Sequence, residues 1–128
     1  MARERLPAFL ASGAETSVSV DDLSAKALAD AAVSGDVFAQ SVYAESGRYL
    51  GRGLAVLVDL LNPERIVIGS IYMRAAALLR SAMQESLREE ALENALSVCR
   101  IVPAALGEQI GDYAALGVLV SGLEHTND

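Results

Sequence analysis

Apolar positions recur at helical spacing along most of this 128-residue chain, and twice the pattern gives way to a short unbroken apolar run. The opening stretch to about Gly13 reads as a short helix, with Pro7 fitting only near its start. After the loop "ETSVSV", Ser19 and Asp22 have the spacing of a capping box. Leu23, Ala27, Leu28 and Ala31 then fall on one helical face. Gly35 supplies the stop, and Asp36 is an N-cap for the next helix.

That next helix is predicted from Val37 to about Leu61 and is the longest element. Its C-terminal half is apolar nearly all round, which predicts burial on several sides. Gly47, Gly51 and Gly53 each cost about 1 kcal/mol of helix stability relative to Ala. Three on neighbouring turns point to close approach of another backbone or of a ligand, with tight helix packing the stronger reading. Asn62-Pro63 ends the helix, and "RIVIGS" follows as a buried strand. A helix from about Met73 to Ala91 carries Ala76, Leu79, Met83 and Leu87 on one face, with Glu85 and Arg88 spaced to pair on the other. "VCRIVPAAL" is a second strand, with Pro103 at an edge or strand end. "DYAALGVLVSGL" makes a final helix.

Strand, helix, strand, helix is the βαβα order of a parallel sheet with a right-handed crossover. Two parallel strands make a poor sheet, however, and the long helix is more apolar than they can cover. The pattern predicts part of a larger architecture.

Composition narrows the function. A net charge of −7 and scattered arginines exclude a phosphate-neutralising patch, so direct contact with nucleic acid is not expected. The most apolar run, "LAVLVDLL", is too short and too interrupted to span a bilayer, and no secretion signal opens the chain; a cytoplasmic protein is expected. One cysteine, Cys99, and one histidine, His125, exclude a disulfide framework, an ordinary zinc site and a His-dependent triad. Cys99 reads as an inert core thiol. The acidic pairs Asp21-Asp22 and Glu89-Glu90 read as solvated surfaces.

Candidate chemistry sits at the strand exits. In open parallel sheets, ligands bind beyond the carboxyl ends of strands, where helix N-termini offer free N–H groups. Gly69 would let a ribose or phosphate approach the backbone, and Ser70 could hydrogen-bond to it. Gly107 and Gly111 bracket the second exit, where Asp112 could cap the last helix. Neither standard phosphate-loop fingerprint occurs, and a plain turn explains Gly69-Ser70 as well.

"AAVSGDVFAQSVYAESGRYLGRGLAVLVDLLNPERIVIGS", followed by a helix and "CRIVPAALGEQIGDYAAL", resembles the C-terminal portion of the ROK family of bacterial sugar kinases and repressors. The resemblance rests on the Gly35-Asp36 break, the Gly51/Gly53 helix, the Asn62-Pro63-Glu64 turn and the Val102-Pro103-Ala104 strand with its glycine loop. It implies an α/β fold: a helix-rich, partial actin-like ATPase (ribonuclease H-like) subdomain with a small parallel sheet and a βαβα core. It also implies ATP with Mg as cofactor, and Gly69, Ser70, Gly107 and Gly111 as nucleotide-side residues. One departure is that Ser70 and Ile71 follow Gly69 where the family usually has a second or third glycine. The family's phosphate loop, catalytic Asp and Cys/His zinc motif have no counterpart here. Residues 1–128 are therefore expected to be a single C-terminal subdomain, inactive alone, that pairs with itself or with a missing N-terminal half. The alternative is a dimerisation or sensing module of a repressor.

Overall fold

A computed structural model describes residues 1–69, 71–105, 109 and 111–116, with backbone only at 71, 73 and 74. Among the described residues the order is α1 (Ala2–Ala11), α2 (Ala25–Val33), α3 (Val37–Leu61), β1 (Arg65–Ile68), α4 (Ile71–Glu90), α5 (Glu93–Val98) and β2 (Arg100–Pro103), with a further helical run over 111–116. No helix among the described residues is long and apolar enough to cross a membrane.

The junction of α2 and α3 follows the sequence closely. Gly35 has φ +95°, its N–H bonds to Ala32 O, and the Asp36 N–H bonds to Ala31 O. These are the paired bonds of a glycine-terminated helix, and a left-handed residue makes them possible. Asp36 then caps α3 by accepting the Ala39 N–H at 2.9 Å. The start of α2 is different from expectation. Ser24 is its N-cap, accepting the Ala27 N–H, while Ser19 accepts the Asp22 N–H in a turn ahead of the helix. Ser-x-x-Asp spacing suits both arrangements, and the extended backbone at Ser24 selects the later start.

Pro7 also departs from expectation, since it stands well inside α1. Its missing N–H forgoes one helical bond, but the helix is fixed from outside. Arg5 pairs with Glu45 and donates to Ser41 Oγ, both on α3. Leu6 is fully buried, and the Phe9 and Phe38 rings lie 5.1 Å apart. These contacts join α1, α2 and the N-terminal half of α3 into one apolar cluster around Leu6, Leu28, Ala32 and Phe38.

The second cluster lies between α3, α4 and the sheet, around Leu54, Val58, Tyr72, Leu79, Met83 and Leu87. Burying each Leu or Val there contributes about 1.5–3 kcal/mol. Gly47 and Gly51 are why α3 and α4 come so close. A Cβ on Gly47 would stand 2.6 Å from Leu79 O, and one on Gly51 would stand 2.3 Å from Met83 O. Backbone meets backbone there, so the packing reading holds for these two glycines. Gly53 is the exception, with open space where its Cβ would be.

β1 and β2 pair in parallel, in the register Arg65↔Arg100 to Ile68↔Pro103. Ile66, Ile68 and Ile101 pack on the α3–α4 cluster, whereas Arg65, Val67 and Arg100 are exposed. Pro103 ends its strand, as its missing donor requires. Two boundaries move. Strand β1 stops at Ile68 instead of running on through Gly69-Ser70, and an unexpected helix, α5, takes Val98, the residue expected to open the second strand. The carboxylate of Asp59, from α3, accepts the Leu92 N–H at the entry to α5. An anchor from so far along the chain leaves no local signal. The expected burial of the C-terminal half of α3 on several sides is also corrected: Leu54, Ala55 and Val58 are buried, but Val56, Leu57, Leu60 and Leu61 are exposed.

Candidate functional site

The parallel register brings both strand exits to one level. Ile68 and Pro103 are partners, and the Ala104 N–H extends the ladder to Ile68 O at 2.9 Å. Gly69 follows directly, half-buried, and α4 starts at Ile71. The first turn of a 20-residue helix thus opens three residues on from the last strand residue, and a helix start presents N–H groups without intrahelical partners and the positive end of its dipole.

Gly69 has neither of the usual internal reasons to be glycine. Its φ lies outside the left-handed region. A Cβ there would meet Ala104 Cβ at 3.5 Å, an ordinary contact. Among the described residues, then, the protein's own backbone and packing would accept a side chain at this exit. Ala104 is the neighbour that sequence reading missed. The in-register pairing alone would have found it, because it places the residue after Pro103 beside the residue after Ile68.

The other expected site residues divide. Ser70 and Gly107 lie outside the described residues. Gly111 is exposed at the start of a helical run over 111–116, with nothing within 4 Å of its Cβ position. Asp112 falls inside that run rather than at a cap ahead of it, because the helix already includes Gly111. No contact joins Gly111 to Gly69 among the described residues.

A groove runs from this end of the sheet, where Tyr72 and Pro103 line it, toward the far end of α4. It has a volume of about 370 Å³ and runs along the flank of α4, walled by Met83, Leu87, Leu96, Cys99 and Ile101, with Arg80 and Arg88 beside it. Burial pushes the Cys99 thiol above its ordinary pKa, so it is a poor nucleophile at neutral pH. Asp21, Asp22, Glu89 and Glu90 are exposed, as solvated surfaces should be. Among the described residues no group of three His, Cys, Asp or Glu side chains could hold a metal ion. The strand exits offer backbone donors and a helix dipole, which suit an oxygen-rich or anionic group, and no described acid or base positioned to move a proton.

A small parallel sheet backed by α3 and α4, with its strand exits and a helix start at one end, is the arrangement found in part of the actin-like ATPase fold. In solved structures it recurs in a ROK family transcriptional regulator, a homologue of the E. coli Mlc protein, with a TM-score of 0.69 and 29% identity over 80% of this chain and 26% of that one. A putative sugar kinase from Cytophaga hutchinsonii shares the fold, with a TM-score of 0.75 over 93% of this chain and 39% of that one at 24% identity. The ROK family model matches residues 7–119, so the chain belongs to the ROK family.

Curated relatives fall on both sides of that family. The DNA-binding transcriptional repressor Mlc of Escherichia coli K12 is 39% identical over 70 residues, covering 55% of this chain and 17% of its own. The dual regulator NagC of the same organism is 32% identical over 90 residues, 70% of this chain and 22% of its own. A glucokinase of Halalkalibacterium halodurans is 35% identical over 89 residues, 70% of this chain and 27% of its own. The matched part of the chain thus spans about a sixth to a quarter of the length of these relatives.

Proposed function

We propose that residues 1–128 are the C-terminal, nucleotide-side subdomain of a cytoplasmic ROK-type sugar kinase, inactive in isolation. In this reading Gly69 and Ser70, with the first turn of α4, contact the nucleotide of Mg-ATP, and the loop carrying Gly107 and Gly111 borders the same cleft. Catalytic groups come from outside this segment. The observation that carries the reading is Gly69 itself. It stands at a parallel strand exit, half-buried, with neither a left-handed φ nor a described steric reason to lack a side chain. Room kept for an external group gives that glycine a purpose. The 35% identity to a glucokinase supports the kinase parent.

The experiment is an amide NMR titration of the chain with Mg-ATP. Saturable shifts at Gly69 to Arg74 and at 107–111, with no sugar phosphorylation by the chain alone, are the expected outcome. A dispersed spectrum that ignores Mg-ATP removes the nucleotide role. The second reading is a sensing or dimerisation module of a repressor, favoured by the 39% identity to Mlc. It would take over if nucleotide leaves the spectrum unchanged while the full-length polypeptide carries a helix-turn-helix.

A further inference from the structure

We propose that the groove between α4 and β2 docks an extended acidic segment of a partner protein, of the pattern acid-x-apolar-x-acid, laid alongside β2. Its floor is apolar, with Met83 and Leu87 of α4 buried and Leu96 and Ile101 half-buried across from them. Arg80, Gln84 and Arg88 follow one another at four-residue spacing along its rim, all exposed.

Three observations define the occupant. The first is charge. The protein carries a net charge of −7, yet among the described residues no carboxylate lines this groove and neither arginine joins an ion pair. Two guanidinium groups beside an apolar floor select carboxylates on either side of an apolar side chain. The second is spacing. Eight residues of helix set Arg80 and Arg88 about 12 Å apart along α4. Four residues of extended chain cover about 13 Å, and residues i, i+2 and i+4 point to one side. An acid at each end thus reaches an arginine while the middle residue enters the floor. The third is the sheet edge. β2 bonds to β1 through the Arg100 and Ala104 N–H groups, so the alternate residue Ile101 turns its backbone N–H and C=O to the opposite edge. No described strand pairs with that edge. An extended segment there continues the sheet, and its backbone bonds add to the side-chain contacts. Pro103 lacks a donor, so Ile101 supplies the N–H that this edge offers.

Fluorescence anisotropy of a labelled Glu-Thr-Leu-Thr-Glu peptide against the 128-residue chain tests the proposal, with circular dichroism of every variant. Saturable binding below about 1 mM is expected. Serine in place of the central leucine should weaken it about tenfold or more, as for the loss of one buried apolar side chain. Arg80→Glu combined with Arg88→Glu should also weaken it at least about tenfold, and should bind instead a Lys-Thr-Leu-Thr-Lys peptide that the wild type refuses. Arg65→Glu, on the open face of the sheet, should leave binding unchanged. Should the double variant lose helicity, Arg88→Gln puts the same question with a smaller loss, about threefold. A folded chain that takes up no acidic peptide at 1 mM overturns the proposal. Binding that ignores the central leucine overturns it too, as attraction to surface charge alone. Binding that survives in the folded arginine variants does the same.

Discussion

The two faces of α3 carry the same kinds of residue and live in opposite environments. On one face Gly47 and Gly51 touch the backbone of α4, with Leu54 and Val58 buried beyond them. On the other, Gly53 faces open space among exposed Val56, Leu57 and Leu60. Glycine on the first face permits an approach that no other residue allows. On the second it only lowers helix propensity, as far as the described residues go. The contrast shows that a glycine in a helix has no fixed meaning until its facing partner is known. Gly51→Ala puts the contrast to its most severe test. A methyl 2.3 Å from Met83 O and 2.9 Å from Ser86 Cβ cannot be relieved by turning a flexible side chain, so the helices must part. A loss of about 3 kcal/mol or more is expected by urea unfolding, with Gly47→Ala costing somewhat less, about 2 kcal/mol. If both unfold at the wild-type midpoint, the close approach of α3 and α4 is wrong.

Asp36 is an intermediate case, polar and half-buried at the start of the same helix. Burial alone would raise its pKa, but the Ala39 and Ser17 N–H groups and the Thr16 and Ser17 hydroxyls all donate to it and lower it to about 2. Removing the carboxylate loses the α3 cap and the tie to residues 16–17 together, so Asp36→Ala should cost about 1–2 kcal/mol. The pH dependence has a definite sign. The folded pKa is below the ordinary 3.8, so the contribution is present above that value and fades as pH falls toward 2. Discounted for solvent screening, it amounts to about 1 kcal/mol. Thermal melts of wild type and Asp36→Asn should therefore differ at pH 6 and converge near pH 2. A gap that persists at pH 2 would assign the effect to geometry rather than to charge.

How much of this was legible in the chain depended on where each cause lay. The Gly35 stop, the Asp36 cap and the ends of α3 were readable because their signals are local: a left-handed glycine, a carboxylate three residues from its donor, an Asn-Pro break. The parallel pairing of β1 and β2 followed from the order of elements. Causes at long range were not readable. Helix α5 is approached through Asp59, 33 residues away from Leu92, and α1 tolerates Pro7 because Arg5 reaches Glu45 and Ser41. Periodicity could show that α3 is apolar on several sides, but not which side meets α4. At the candidate site, Gly69 was found by its place at a strand end, while Ala104 needed the register to bring it alongside.

The smallest expected effect has the opposite sign. Gly53 lies in the helical interior with φ in the ordinary range and nothing within 4 Å of its Cβ position. Alanine there meets no described obstacle and removes backbone freedom that the unfolded chain otherwise keeps. Gly53→Ala should therefore stabilise the chain by about 0.5–1 kcal/mol, read as a higher urea midpoint at unchanged slope. A loss instead would mean that a neighbour covers this face of α3, and the contrast between its two faces would then fail.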